Sequence, residues 1–168
     1  GNVLGFDITY FNPTIEIESL DEKHSEKDYE KEVYQSHVYR EQVVQDILNH
    51  WDKTSSGALS AGKREKNVFQ AMLAVSGKQA VVHYYNIFKE KAPHLRVAMT
   101  FSRDESNQPG TKEQNEALKK AIKEYSSCFN VPSLLNAQEP ARAYMIDITK
   151  RLARKKPYNQ GKDEDRLD

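Results

Sequence analysis

A single cysteine, Cys128, excludes an internal disulfide and fits a reducing compartment. No apolar run approaches the roughly 20 residues that a membrane-spanning helix requires, and no signal-peptide pattern is read in the opening residues. The expected location is therefore the cytoplasm. Apolar residues are scarce at 38% against 30% charged, which favours a domain with long charged connections over a core-rich enzyme. His24, His37, His50, His83 and His94 show neither metal-ligand spacing nor a partner cysteine pair, so no metal site is expected. No paired acid and base side chains stand out for small-molecule catalysis.

What is present begins with uneven charge. The 168 residues sum to zero, yet residues 1–35 hold nine acids against three lysines, a net of −6. Residues 141–162 hold seven basic side chains against Asp147 alone, a net of +6. One end repels a polyanion and the other suits one. The length fits one domain able to bury a sizeable core. Both ends read as cut from something longer.

Hydrophobic patterning divides the chain into 1–66 and 67–168. In the first part, Leu4, Phe6, Ile8 and Tyr10 alternate as a half-buried strand over residues 3–11. Tyr34, Val38, Val44, Ile47, Leu48 and Trp51 recur at helical spacing between about 31 and 51. Residues 53–66 are small, polar and basic, as a connection would be. In the second part, an apolar run at 68–75 reads as a strand, Ser76 and Gly77 as a turn, 78–91 as a helix and 95–101 as a second strand. A helical crossover of this kind joins parallel strands, so the expected fold class is α/β with a partial parallel sheet. Beyond it, 112–129 reads as a helix with Leu118, Ala121, Ile122 and Tyr125 on its apolar face. The stretch 131–139 reads as a loop around Pro132, and a last helix begins at Pro140 with Ala141, Tyr144, Met145, Ile148 and Leu152 on one face.

Two glycine-lysine turns invite a phosphate-binding reading. Residues 57–63 have the GxxxxGK spacing, but a helix precedes them, a strand is expected to follow, and Arg64 occupies the position of the magnesium-holding hydroxyl. They read as a solvated loop. Ser76, Gly77 and Lys78 instead stand where a strand hands over to a helix, the usual ligand end of an open α/β sheet. Backbone N–H groups and a hydroxyl there suit an anion such as a DNA phosphate; the alternative is a plain N-cap by Ser76. Thr100, Ser102 and Arg103 end the second expected strand and would share that edge in a parallel sheet; the alternative is a simple polar strand end. Lys150, Arg151, Arg154, Lys155 and Lys156 suit either a nucleic-acid backbone or the dipole of a helix C-terminus. Tyr84, Tyr85 and Phe88 read as packing, and Cys128 as a buried structural thiol.

The pieces AMLAVSGKQAVVHYYNIFKE and LRVAMTFS together resemble the start of the second RecA-like motor domain of superfamily 2 helicases. More narrowly, the chain resembles the restriction (motor) subunit of type I restriction enzymes. GNVLGFDITYFNP resembles the segment leaving the first motor domain, ARAYMIDITKRLARKK the helix before the next core strand, and DEDRLD the entry to that strand. The resemblance implies a partial RecA-like parallel sheet with flanking helices, truncated before the later motor strands. It implies a share in an ATP-dependent translocase and endonuclease that uses ATP and magnesium. Its partners would be double-stranded DNA and the methylation and specificity subunits. Ser76, Gly77, Lys78, Thr100, Ser102 and Arg103 fall on strand-end loops that in that family grip the DNA backbone. The phosphate loop, the acidic ATPase motif and the nuclease carboxylates are not among these residues, so no catalytic residue, cofactor or metal is assigned and the chain alone is expected to be inactive. The charge split leaves a second reading open, a non-enzymatic α/β protein-interaction domain.

Overall fold

The computed structural model describes residues 33–55, 71–102, 110–153 and 159, and divides into two compact units, Gly1–Val68 and Phe69–Asp168. In the first unit, helix α1 spans His37–Ser55. Ser36 starts it, its Oγ accepting the Tyr39 N–H at 3.1 Å. Val44 is fully buried, while Tyr34 and Val38 of the expected apolar face are largely exposed. The strand expected at 3–11, the GxxxxGK loop and the tail beyond Leu152, apart from Ala153 and Asn159, lie outside the described residues.

The second unit contains α2 (Lys78–Lys91), α3 (Thr111–Phe129), the short α4 (Ser133–Asn136) and α5 (Pro140–Leu152). Helix α2 has the expected bounds. Pro93 disfavours the helical conformation for Ala92, whose φ of −137° and ψ of 62° end the helix. Helix α3 buries Leu118, Ala121, Ile122, Tyr125 and Ser126, the i, i+3, i+4, i+7, i+8 stripe of a helix facing a core. Its end is a Schellman turn: Asn130 adopts φ 52° and ψ 53°, the Val131 N–H reaches the Ser126 carbonyl at 2.9 Å, and the Asn130 N–H reaches that of Ser127 at 3.3 Å. That turn delivers Val131 and Leu134 into the core beside Tyr144. Residues 131–139, expected as a loop, thus contain the single turn of α4.

Among the described residues the expected α/β sheet, a partial RecA-like parallel one, is not formed. All regular structure among the described residues is helical, and neither 71–75 nor 95–101 is a strand. The reason lies in what each segment meets. Ala71, Met72, Leu73 and Ala74 are exposed, so this apolar run is not sandwiched between layers. Residues 95–102 do alternate in burial, with Leu95, Val97, Met99 and Phe101 turned inward and Arg96, Ala98, Thr100 and Ser102 outward. Val97, Met99 and Phe101 pack with Tyr85 and Val81 of α2 and with Ala117 and Ala121 of α3. The Met99 carbonyl is taken by the Tyr144 hydroxyl at 2.8 Å rather than by a neighbouring backbone. Period-two burial reports a segment lying on a surface; a ladder also needs a second backbone about 4.8 Å away.

Candidate functional site

The turn before α2 is built around glycine. Gly77 adopts φ 87° and ψ 158°, a region essentially restricted to residues without a Cβ, and a Cβ placed there would meet nothing within 4 Å. Gly77, not Ser76, is the N-cap residue, and no side chain caps the first turn of α2. Its carbonyl accepts the Val81 N–H at 3.2 Å. The plain N-cap by Ser76 is therefore not what forms. What remains is an open helix start with the positive end of the helix dipole and an exposed Ser76 hydroxyl at its mouth, which is suited to an anion. Lys78, the first residue of α2, is half-buried.

Thr100 and Ser102 lie on the outward side of the 95–102 segment and are exposed. No hydrogen bond or ion pair joins either of them to Ser76 or Gly77 among the described residues. Their expected convergence rested on a shared sheet edge, and that edge is not formed. Arg103 lies outside the described residues. Cys128, expected as a buried thiol, is exposed at the end of α3. Among the described residues no group of three or more His, Cys, Asp or Glu side chains is placed to hold a metal, and no helix is long and apolar enough to cross a membrane.

The polar network that residue patterning did not reveal lies between α3 and α5. Asp147 is fully buried and accepts the Tyr125 hydroxyl at 2.7 Å and the Arg151 Nε at 2.6 Å. The Arg151 guanidinium in turn lies over the Phe129 ring, 4.3 Å from its centre. Burial, then the bond to Asp147, pushes the Tyr125 hydroxyl well above its ordinary range; burial and the bond to Glu124 do the same for Tyr85. Burial outweighs the opposing Met99 contact and raises Tyr144 as well. The available signal for this network was the i, i+4 spacing of Asp147 and Arg151.

Residues 67–168 match the family model for type I restriction enzyme subunit R domain 3. The chain belongs to that family. No curated protein and no solved structure gives a match. The matched span of this R-subunit domain includes the Ser76–Gly77–Lys78 turn, Thr100, Ser102 and Arg103, and it takes in every helix from α2 to α5.

Proposed function

We propose that this chain is part of the ATP-dependent subunit that moves and cleaves DNA in a type I restriction-modification system, and that its own contribution is to hold the DNA backbone. The family match carries this reading, because it spans the open helix start at Gly77. There the dipole of α2, the Ser76 hydroxyl and the Lys78 ammonium offer a phosphate three attractive partners without reference to base sequence. Thr100, Ser102 and Arg103 supply further backbone contacts from the second segment. The complete subunit works with ATP and magnesium in the cytoplasm, beside methylation and specificity subunits. The isolated chain holds neither the nucleotide nor the nuclease chemistry.

The experiment is a salt series of duplex-DNA binding by the intact subunit, with and without Lys78→Ala. Loss of one phosphate contact should weaken binding equally across DNA sequences and lower the slope of log K against log salt by about 1. An unchanged slope removes Lys78 from the interface. Robust ATP hydrolysis by the 168-residue chain alone would sink the wider reading.

A further inference from the structure

The apolar residues of α5 form two rows, and only one of them enters the core. Ala143, Tyr144 and Asp147 are buried and, with Arg151, which bonds Asp147, share the inner side of the helix. Ala141, Met145, Ile148 and Leu152 stand at i, i+4, i+7 and i+11, a second row about 16 Å long beside the first. Ala141 and Ile148 are partly buried against the core, whereas Met145 is 47% and Leu152 44% exposed. A single exposed leucine is ordinary; a straight row of apolar side chains at helical spacing matches the ridge of a second helix.

The charge beside that row is predominantly positive. Asp147, the one acid between residues 141 and 162, is fully buried and holds Arg151 at 2.6 Å, so it offers the surface nothing. Glu139, just before the helix, faces Arg142 at 3.7 Å. Lys150 and, in the sequence that follows α5, Arg154, Lys155 and Lys156 add positive charge, with no further acid before Asp163. A phosphate backbone would answer this charge and leave Met145 and Leu152 in water. An apolar helix without acids would cover the row and leave the charge unanswered. We propose that α5 docks an acidic amphipathic helix of a partner protein, its apolar side chains seated along Met145, Ile148 and Leu152 and its carboxylates toward the basic residues beside them. This surface shares no residue with the Gly77 turn assigned to DNA.

The probe is a fluorescein-labelled helical peptide of about 18 residues, with leucine at i, i+3, i+4 and i+7 spacing and glutamate at the flanking positions. Fluorescence anisotropy at low salt should show it binding the 168-residue chain with a Kd of about 10–100 μM. Exchanging its leucines for glutamine at unchanged charge should weaken binding about tenfold or more, and exchanging its glutamates for lysine should abolish it. Met145→Gln and Leu152→Gln should each weaken binding about three- to tenfold. Both side chains are already half-exposed, so the variants should unfold in urea at the parent's midpoint, and using two keeps the test valid if one does not fold. No binding, equal binding of the glutamine peptide, or unchanged affinity in both variants overturns the proposal. So does a parent chain that sediments as a dimer and becomes a monomer on Met145→Gln, which would assign the row to a second copy. Loss of duplex-DNA affinity in Met145→Gln as large as the loss of peptide affinity would assign it to DNA instead.

Discussion

The Tyr144 hydroxyl donates to the Met99 carbonyl at 2.8 Å, tying α5 to a segment 45 residues away in the chain. Both residues are buried, Tyr144 at 1% exposure and Met99 at 5%. A buried carbonyl in a segment without a ladder has few other partners, so this bond replaces one that a neighbouring strand would have made. Tyr144→Phe keeps the ring that packs edge-on against Tyr125 and removes only the donor. The expected loss is about 1–3 kcal/mol, the cost of leaving that carbonyl unsatisfied. Urea unfolding measures it; a variant as stable as the parent would show that the Met99 carbonyl is otherwise satisfied.

Alkaline pH tests the same residues together. Tyr85, Tyr125 and Tyr144 all have hydroxyls raised above the ordinary tyrosine value, chiefly by burial. A group whose folded pKa is raised keeps its proton in the fold after the unfolded chain has lost it. Stability is therefore fully present below about pH 10 and falls as pH rises beyond it, by about 1.4 kcal/mol per pH unit for each such hydroxyl. Unfolding free energy measured between pH 8 and 11 should be level on this account up to about pH 10 and then drop steeply. Tyr144→Phe should make that drop shallower, and an unaltered slope would exclude Tyr144 as a contributor.

The parts of this fold that were legible in the sequence are those fixed by local spacing. Leu118, Ala121, Ile122 and Tyr125 announced the buried face of α3, and Pro140 marked the start of α5. The buried face of α5 was legible in part: Tyr144 is buried and Ala141 and Ile148 pack on the core, but Met145 and Leu152 of the expected face are 47% and 44% exposed, whereas Asp147 is fully buried. Hydrophobic periodicity places a carboxylate in water unless its partners are known, and here they come from Tyr125 on another helix and from Arg151. The segment from Leu95 to Phe101 was read as a strand of a parallel sheet, whereas it lies on a helical surface with alternate side chains inward, since pairing depends on a distant backbone that spacing does not encode. At the candidate site, Ser-Gly-Lys marked the start of α2, yet only the backbone angles of Gly77 show that Ser76 leaves it uncapped.

Asp147 and Arg151 should be energetically coupled. Arg151→Ala leaves a fully buried carboxylate with a neutral donor from Tyr125, whereas Asp147→Ala leaves a guanidinium that is 24% exposed and still stacked on Phe129. Both single changes break a buried pair, for which about 3–5 kcal/mol is the usual cost. Partial exposure of Arg151 places Asp147→Ala toward the lower end. The double variant should be less damaged than the two single losses added together, by about 1–3 kcal/mol in a double-mutant cycle. Strict additivity would mean that the 2.6 Å contact contributes nothing specific.

Gly77 and Gly110 both have positive φ, but they should respond differently to substitution. Gly110, which begins α3, lies at φ 83° and ψ −12°, in the left-handed region that asparagine tolerates. Gly77 lies at φ 87° and ψ 158°, where asparagine has no such advantage. Neither site is crowded: a Cβ at Gly77 has open space, and one at Gly110 meets the end of the Gln114 side chain at 3.5 Å. Any loss is therefore backbone strain rather than collision. Gly77→Ala and Gly77→Asn should each cost about 1–3 kcal/mol, whereas Gly110→Asn should be milder than Gly110→Ala. Chemical unfolding of the four variants decides the point, and rescue of Gly77 by asparagine would mean that the turn before α2 is an ordinary left-handed one.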